Sequence, residues 1–405
     1  MDQFRKIIGE LILGPEISII NIIDELVLCA VDTEASDIHI DPNENGIRIR
    51  FRVDGILEEV CVLPKIIHQE IISRIKILSG LRTDEHNAAQ DGRFRSIFND
   101  GKSVDMRISI MPTYYGENVV IRLLSENKNN FTLQTLGFNE HDQKKIFSAI
   151  KKPHGMILAT GPTGSGKTTT LYTLIKALNS KEISIVTIED PIEYSIAGIE
   201  QIQVNPRTEL TFAKGLRSIL RQDPDVIMVG EIRDIETAGI AVNTALTGHL
   251  LLSTLHTNDS ATTLPRLLDM KVESFLVAST VVVAIGQRLV RKICSHCKIL
   301  KILNDEEYLY LTSRISEKIL NENKSFYYGS GCEHCHSSGY KGRLVINEVL
   351  VVDEDIRNAI LLKASAEEIK QIAIRNGMTT MLEDGIAKAI QGLTSIEEVL
   401  RVMSG

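Results

Sequence analysis

The spacing of apolar residues predicts a helix near the start of the chain and a strand soon after it. Between Ile19 and Ala30, apolar residues recur at the spacing of one helix face. From Ile47 to Val53 they alternate with arginines, a period of two that is typical of a half-buried strand. The three arginines, Arg48, Arg50 and Arg52, are therefore expected on a solvated strand face.

Further segments of both kinds complete an α+β unit, which we place at residues 1–126. A second helical pattern occupies residues 64–78. Strand-like segments follow at residues 94–98, 104–110 and 119–124. The polar run 125–130 is the best candidate for a linker in the chain, and we place the linker at residues 127–137.

Beyond the linker, short apolar strands alternate with helical patterns, as a parallel sheet requires. We therefore predict an α/β domain over residues 138–405. Its last part, residues 350–405, has a helical pattern throughout. Two pairs of cysteines precede this helical region, and we assign residues 288–345 to a cysteine-containing subdomain of the α/β domain.

Charge and hydropathy narrow the class of protein. The 405-residue chain has a net charge of −8, which argues against nucleic-acid binding as its main role. No window approaches the roughly 18 apolar residues that a transmembrane helix needs. The N-terminus carries charges among its apolar residues and does not resemble a secretory signal. We therefore expect a cytoplasmic protein whose cysteines are reduced unless a metal binds them.

The residues from Gly161 to Thr168 match G-x-x-x-x-G-K-[ST], the phosphate-binding loop of nucleotide triphosphatases. An apolar run precedes them and a helical pattern follows, so a strand, a glycine loop and a helix N-terminus together form an anion site. Glycines allow successive N–H groups to surround a phosphate, Lys167 adds a charge, and the Thr168 hydroxyl suits Mg²⁺. The predicted nucleotide-binding residues are Gly161, Pro162, Thr163, Gly164, Ser165, Gly166, Lys167, Thr168 and Thr169.

Two acidic segments follow apolar runs and are candidates for the chemistry of hydrolysis. Glu189 and Glu193 come at the end of a strand-like run, and Glu231 follows the run Val226–Val229 after Gly230. Carboxylates at strand ends can hold Mg²⁺ or orient an attacking water, and we assign the second role to Glu231. Gly230 stands where an acidic residue usually closes the run, which leaves the metal-side carboxylate open. A solvated acidic turn is the alternative for each segment.

Two histidines, His249 and His256, lie on either side of an apolar run. A neutral imidazole could contact a phosphate there or relay a change of state between subunits. The alternative is that both are ordinary hydrogen-bonding residues at strand ends.

Two C-x-x-C pairs predict a four-thiolate Zn²⁺ site formed by Cys294, Cys297, Cys332 and Cys335. The 34 residues between the pairs exceed the usual spacing, and we expect a small helical insertion there. The second pair also matches the haem-attachment pattern, and a redox dithiol is a further alternative. Structural zinc explains both pairs at once. Cys29 and Cys61 occur in apolar patterns and are expected to be buried thiols.

Taken together, these motifs resemble the secretion ATPases of type II secretion and type IV pilus assembly, in the branch that includes the pilus extension motor. The resemblance covers nearly the whole chain from about residue 20, and Gly230-Glu231 is the usual form of the second acidic motif in this family. The segments that carry it are Ala35–Ile40, Arg52–Gly55, Gln90–Arg93, Asp105–Arg107, Tyr115–Glu117, Gly161–Thr168, Ile188–Tyr194, Leu220–Asp225, Glu231–Asp234, Thr247–Thr257, Gln287–Val290, both cysteine pairs and Gly339–Arg343.

The resemblance implies a PAS-like N-terminal domain and a RecA-like motor domain, with ATP bound between them, in a ring that is usually a hexamer. It also implies that Arg93 and Arg107 reach the terminal phosphate as arginine fingers, because a guanidinium stabilises charge on the transferred phosphoryl group. Surface salt bridges are the alternative for both arginines. The zinc site and the C-terminal helices would then serve structure or docking.

The setting implied by the resemblance is the cytoplasmic face of the inner membrane, with only peripheral membrane association. There the motor would work under an inner-membrane platform protein, with an accessory cytoplasmic docking protein, and extract pilin-like subunits from the membrane. Full-length members commonly carry a further N-terminal domain, which is not found before Ala35. Short relatives such as competence motors also lack it, and a truncated chain is the other explanation.

Two rival functions remain at this stage. A retraction or DNA-uptake motor uses the same chemistry, but retraction motors usually lack the cysteine pairs, which favours extension or secretion. A non-enzymatic zinc or nucleic-acid-binding module is the rival of a different class. The acidic net charge and the presence of Glu231 argue against that module.

Overall fold

A computed structural model describes residues 9, 18–98, 103–124, 131–313, 320 and 324–404 of the chain. It divides into two compact units, Met1–Asn129 and Asn130–Gly405. The predicted linker, 127–137, falls at this division, and the polar run 125–130 lies outside the described residues. The remainder of the predicted linker contains the short helix Leu133–Leu136, whose two terminal leucines are buried.

Over residues 18–98 and 103–124, the N-terminal unit contains a six-stranded antiparallel sheet with two helices, as its alternating patterns predict. Along the sheet the strands have the order β3-β2-β1-β6-β5-β4. The strands are β1 Asp37–Pro42, β2 Ile47–Val53, β3 Ile56–Leu63, β4 Gln90–Ile97, β5 Ser103–Thr113 and β6 Gly116–Leu124. The helices are α1 Ile19–Asp32 and α2 His68–Leu78, the second preceded by the 3₁₀ turn Lys65–Ile67.

One face of this sheet is apolar and forms the core of the unit with the two helices. On β2, for example, Ile47, Ile49 and Phe51 are fully buried. Burial of each such side chain contributes about 1.5–3 kcal/mol relative to exposure. The period of two therefore places the apolar side chains on one face, where they are buried, and the charged side chains on the other face.

The arginines of β2 are less solvated than the sequence suggested, because two aspartates of β1 face them. The carboxylate of Asp41 forms an ion pair with Arg50 at 2.7 Å, and an oxygen of Asp37 lies 3.7 Å from Nε of Arg52. Both aspartates are buried. Charge pairing across neighbouring strands thus adds to the register that the apolar face imposes.

The C-terminal unit is built on a seven-stranded sheet with the order β15-β12-β7-β11-β10-β8-β9. β7, β11, β10, β8 and β9 are parallel to one another, β12 is parallel to β7, and β15 is antiparallel to β12. The strands are β7 Gly155–Thr160, β8 Ile185–Glu189, β9 Glu200–Gln203, β10 Val226–Val229, β11 Leu250–Leu255, β12 Val281–Ile293 and β15 Tyr340–Val351, and a separate pair consists of β13 Lys298–Ile302 and β14 Ser325–Gly329.

Helices cover both faces of this sheet, so its central strands are buried at every position and mostly apolar. On β7, Met156 and Leu158 belong to one core cluster and Ile157 and Ala159 to the other. The described helices are α3 Leu133–Leu136, α4 Glu140–Ile150, α5 Lys167–Leu178, α6 Phe212–Ile219, α7 Ile235–Leu246, α8 Thr263–Asp269, α9 Ser274–Thr280, α10 Asp305–Thr312, α11 Glu354–Leu361, α12 Ala366–Arg375, α13 Met381–Ile390 and α14 Ile396–Met403. Across the described residues, no helix has the length and apolar character needed to cross a bilayer.

Helix α13 covers the open edge of the sheet at β15. The Asp384 carboxylate accepts a hydrogen bond from the backbone N–H of Asn347 at 2.9 Å, and Lys388 donates to the carbonyl of Val345 at 2.7 Å. Asp384 and Lys388 also form an ion pair with each other, one turn apart. The helix therefore supplies the donor and the acceptor that a further strand would supply, which protects this edge from pairing with another chain.

Glu398 on α14 connects the C-terminal helices to β12. Its buried carboxylate pairs with Arg291 at 2.9 Å and with Arg401 at 2.6 Å. Burial raises the pKa of Glu398, but hydrogen bonds from Arg401 and Arg291 outweigh it and bring the pKa to about 2. Because this pKa lies below the ordinary value of 4.5, the stabilisation is present above pH 4.5 and is lost as the pH falls towards 2.

We expect Glu398→Gln to lower the melting temperature at neutral pH, because the two guanidinium groups lose a charged partner. The difference from wild type should shrink as the pH falls from 4.5 towards 3. Thermal denaturation over a pH series measures this, with Glu397→Gln at the exposed neighbouring position as the control. A difference of the same size at pH 7 and pH 3 would contradict the assignment.

Candidate functional site

The predicted phosphate loop connects strand β7 to helix α5. β7 ends at Thr160 and α5 begins at Lys167. Gly161, Gly164 and Gly166 have φ angles of 144°, 77° and 87°, which residues with a side chain rarely adopt. The path of the loop therefore depends on glycine, and the loop ends at a helix N-terminus whose first N–H groups have no partner within the helix.

The side chain of Lys167 is buried against the loop. Its Nζ donates to the carbonyl oxygens of Gly161 at 2.8 Å and Pro162 at 2.9 Å. Burial lowers the pKa of Lys167, and the charge of Glu231 acts in the opposite direction. The ammonium group is thus held at the loop, close enough to Glu231 for the two charges to interact.

The remaining residues of the loop fit a phosphate and a hydrated Mg²⁺. Its exposed crest consists of Pro162, Thr163 and Gly164. Thr168 and Thr169 are half-buried in the first turn of α5, where a hydroxyl can serve as a ligand of Mg²⁺. The hydroxyls of Ser165 and Thr170 are buried, and within the described part of the chain neither has a hydrogen-bond partner.

Glu231 lies at the same edge of the sheet as the loop. It follows β10, and the carboxyl ends of the parallel strands β7, β11 and β10 meet at this edge. Its buried carboxylate pairs with Arg233 at 2.5 Å and with the imidazole of His256 at 3.0 Å. The fold therefore brings Lys167, Glu231 and His256 together. Along the sequence, Lys167 precedes Glu231 by 64 residues and Glu231 precedes His256 by 25.

Glu189 ends β8 and is engaged by neighbouring side chains. It is buried, accepts hydrogen bonds from Thr187 at 2.6 Å and Gln201 at 3.2 Å, and also accepts one from the hydroxyl of Tyr172 on α5. Burial raises the pKa of Glu189, although the three hydrogen bonds oppose the rise. These contacts link the first acidic segment to helix α5, which follows the phosphate loop.

Glu193 is half-buried beyond β8, and its backbone N–H donates to the hydroxyl of Tyr172 at 3.4 Å. The two carboxylates of this segment thus lie near one tyrosine of α5. Burial, together with the charge of Glu189, raises the pKa of Tyr172, which keeps the hydroxyl protonated as a donor.

The two predicted histidines lie at opposite ends of strand β11. His256 follows the carboxyl end of β11, next to the phosphate loop. His249 precedes the amino end of β11, and its Nδ1 donates a hydrogen bond to the carbonyl oxygen of Thr244 at 3.2 Å. The six-residue strand separates them by roughly 20 Å. Only His256 is therefore close to Lys167 and Glu231 within this unit.

Arg93 and Arg107 belong to the N-terminal unit, where they lie directly opposite each other. The register of β4 and β5 pairs Arg93 with Arg107, and that of β5 and β6 pairs Arg107 with Arg122. Opposed Cβ atoms on an antiparallel sheet are about 4.5–5.5 Å apart, and like charges at that distance destabilise the pair. Arg122 also pairs with Asp37 at 3.0 Å. An anion bound on this face would offset the repulsion.

Several residues of this site were not predicted as functional from the sequence. Arg233 and Tyr172 contact the carboxylates, and Gln287 on β12 contacts the phosphate loop. Gln287 had a signal in the sequence, because a polar amide follows an otherwise apolar run in its strand. For Tyr172 the sequence contains no such signal, because an aromatic residue in an apolar helical pattern usually belongs to the hydrophobic core.

The four predicted cysteines form one compact cluster. Their sulfur atoms all lie within 4.8 Å of one another. Three pairs are separated by 3.8, 3.8 and 3.6 Å, namely Cys294–Cys332, Cys297–Cys335 and Cys332–Cys335. Four sulfurs at the usual Zn–S distance of about 2.3 Å in a tetrahedron are about 3.8 Å apart. The arrangement therefore fits Zn²⁺ with all four positions filled, which suits a structural site.

Backbone donors near the cluster favour the thiolate of Cys335. Sγ of Cys335 accepts hydrogen bonds from the backbone N–H groups of Cys332 at 3.2 Å and Gly339 at 3.3 Å. Burial raises the pKa of Cys335, but these donors outweigh it and bring the pKa to about 7. Since the thiolate is the form that binds metal, this local network favours a metal ligand.

The insertion between the cysteine pairs differs from the expected helical one. It contains the antiparallel strands β13 and β14 as well as helix α10. The strands are short and half-exposed, so their apolar periodicity was too weak to detect. Both cysteine pairs lie at the base of this hairpin, where a metal would join its two ends.

Comparison with known proteins identifies relatives over nearly the full chain. A family model described as "Type II/IV secretion system protein" matches residues 15–401. A type IV pilus assembly ATPase of Thermus thermophilus is 48% identical over 91% of this chain, which spans 41% of that protein. The type II secretion system protein E of Xanthomonas campestris is 45% identical over 96% of this chain and 68% of its own length. The type II secretion system ATPase E of Vibrio cholerae is 46% identical, over 95% and 75%.

Solved structures have the same fold. The pilus retraction motor PilT with bound ADP is 26% identical, has a TM-score of 0.63, and covers 93% of this chain and 95% of its own. The DotB ATPase of Legionella pneumophila is 24% identical with a TM-score of 0.68 over 95% of each chain, which shows the fold alone. The predicted fold class, an α+β unit before a parallel-sheet unit, is therefore confirmed.

The cysteine geometry predicts about one Zn²⁺ per chain in protein purified without chelator, because four thiolates fill a tetrahedral site. The double variant Cys332→Ser/Cys335→Ser should lose the metal and melt at a lower temperature. Elemental analysis and thermal denaturation measure both effects, with Cys61→Ser outside the cluster as the control. A wild-type protein free of zinc and of other metals, with all its cysteines reduced, would refute the site.

Proposed function

Since this chain belongs to the type II/IV secretion system protein family, we propose that it is a Mg²⁺-dependent ATPase motor that powers the assembly of pilin-like subunits. The names of its relatives confirm the narrower prediction of an ATP hydrolase. The observation that carries the proposal is the meeting of Lys167 and Glu231 at one edge of the parallel sheet.

Each group at this edge has a role in hydrolysis. The N–H groups of the loop and Lys167 bind the outer phosphates of ATP, for which Lys167 must leave the carbonyl oxygens of Gly161 and Pro162. Glu231 orients the water whose oxygen bonds to the terminal phosphorus, while the bond to the bridging oxygen breaks and ADP leaves. Of the two protons of the water, one stays on the phosphate formed and the other passes to solvent. Mg²⁺, held by Thr168, supplies charge neutralisation at the phosphates when bound.

Glu231 exchanges partners during this reaction. It pairs with Arg233 and His256 in the structure described, so the carboxylate is already positioned, although its oxygens are occupied by cations. His256 then keeps Glu231 near the loop when Arg233 is displaced. Glu189 and Glu193 act from the neighbouring strand through Tyr172, and His249, at the other edge, acts at a contact between subunits.

Arg93 and Arg107 serve as the arginine fingers in this proposal. They form a pair of like charges on one sheet face, which favours an anionic partner such as the terminal phosphate. Because they belong to the N-terminal unit, contact with phosphate couples hydrolysis to domain movement. In this proposal the chain forms a homo-hexameric ring, as the resemblance to secretion ATPases implies, and neighbouring subunits complete each site.

The partners and the cellular location of this protein are part of the proposal, because the chain spans less than half the length of its Thermus relative. We assign it to the cytoplasmic face of the inner membrane, associated peripherally through a platform protein and an accessory docking protein. Pilus extension or type II secretion is favoured because the curated relatives at 43–48% identity carry those names.

A retraction motor is the second candidate, because the pilus retraction motor PilT has this fold at 26% identity. The two outputs differ in a cell, where the direction of pilus movement separates them. Deletion of an extension motor abolishes surface pili, whereas deletion of a retraction motor leaves them in excess.

We predict that Lys167→Ala abolishes ATP hydrolysis because the outer phosphates lose their cation. Glu231→Gln should retain nucleotide binding but lower kcat by about 100-fold or more, because the water loses its acceptor. Phosphate release and the binding of a fluorescent ATP analogue measure the two effects. Glu236→Gln, an exposed carboxylate that pairs with Arg217, is the matched control. Hydrolysis by Lys167→Ala at the wild-type rate would refute the site.

We predict that Arg93→Ala and Arg107→Ala each lower kcat by about 1,000-fold, the usual contribution of an arginine finger. Arg95→Ala is the control, because Arg95 lies on the same strand and pairs with Asp105 at 2.6 Å. Light scattering with a non-hydrolysable ATP analogue should give the mass of six chains. Monomers under those conditions, or full activity of both variants, would contradict the role of these arginines in a ring.

A further inference from the structure

Gln287 lies against both ends of the phosphate loop although it belongs to a different strand. It follows the apolar run at the start of β12 and is fully buried. A Cβ atom added to Gly161 would overlap the backbone oxygen of Gln287, and one added to Gly166 would lie 3.3 Å from its side-chain Nε2. The first and last glycines of the loop are therefore needed for contact with Gln287 as well as for their φ angles.

One hydrogen bond joins this side chain to the loop. Nε2 of Gln287 donates to the carbonyl oxygen of Ser165 at 2.8 Å, across 122 residues of sequence. Among the residues that the structure describes, the amide oxygen of Gln287 has no hydrogen-bond partner. The opposite orientation of the amide would place two acceptor oxygens against each other, so the contact with Ser165 determines how the amide is oriented.

This hydrogen bond fixes the orientation of a peptide group in the loop. In a trans peptide, the carbonyl of Ser165 and the N–H of Gly166 point in opposite directions. With the carbonyl held towards β12, the N–H points away from β12, to the side on which a phosphate loop presents its donors. Glycine at 166 makes the peptide easy to rotate, so an external anchor is needed to hold it.

We propose that Gln287 is a positioning residue of the nucleotide site, which holds the Ser165–Gly166 peptide so that its N–H binds a phosphate of ATP. The inference rests on the proposed nucleotide site at the phosphate loop. Gln287 does not touch ATP in this arrangement and acts through the loop backbone. It strengthens the binding of ATP and ADP alike, because both carry the phosphates that contact this part of the loop.

The matched control is Asn347, the amide opposite Gln287 in the register of β12 and β15. Asn347 is also fully buried, but its side chain donates to Asp142 on α4 at 2.8 Å, away from the loop. Removal of either amide creates a comparable defect inside the same pair of strands. Only removal of Gln287 releases the phosphate loop.

The test compares Gln287→Met, which keeps the length of the side chain but removes the donor, with Asn347→Leu in the full chain. Titration with a fluorescent ADP analogue gives Kd, and steady-state hydrolysis gives KM and kcat. We expect Gln287→Met to raise Kd and KM about 5- to 10-fold, the effect of one hydrogen bond, with kcat changed less than about twofold. Asn347→Leu should lower the melting temperature and leave Kd within about twofold of wild type.

The outcomes separate this inference from the proposed function. If wild type does not bind the analogue, the nucleotide site itself is refuted. If wild type binds and Gln287→Met binds equally well, only the role of Gln287 is refuted. An equal rise of Kd in both variants also overturns it, because a general loss of packing then explains the effect. Should Gln287→Met not fold, Gln287→Glu, which presents a carboxylate to the Ser165 carbonyl, is measured in the same way.

Discussion

Parallel pairing of β7 with β11 and β12 is the constraint on which the site depends. Parallel strands all end at one edge, so the glycine loop after β7 and His256 after β11 must lie side by side, and β10 brings Glu231 to the same edge. β12 passes the other side of the loop and contributes Gln287. A shift of one residue in any of these registers would exchange buried and functional side chains.

The buried polar groups of the C-terminal unit stabilise the strands around this edge. α13 satisfies the open edge of β15 through Asp384 and Lys388, and Glu398 on α14 pairs with Arg291 of β12. Burial raises the pKa of Asp384 and lowers that of Lys388, so the pair is retained by mutual attraction against the cost of desolvation. The C-terminal helices thus hold β12, which lies next to the phosphate loop, and its outer neighbour β15.

Charged side chains have a different role in the N-terminal unit, where they lie on the polar face of the sheet. Its apolar sheet face forms the core, and its polar face places Arg93, Arg107 and Arg122 in one row across three strands. Asp41 and Asp37 of β1 pair with Arg50 and Arg52 of β2, and Asp37 also pairs with Arg122 of β6. A surface of this kind contributes less to stability than to the recognition of an anion.

The sequence alone determined the features that depend on neighbouring residues. The strand, glycine loop and helix around Lys167 were predictable because backbone angles and periodicity are local, and the four cysteines because their chemistry is specific. Tertiary structure decided which histidine lies beside the loop, that Glu189 is bound by Tyr172, and that Gln287 contacts Ser165. These contacts join segments up to 122 residues apart, and strand order, which no local pattern contains, brings them together.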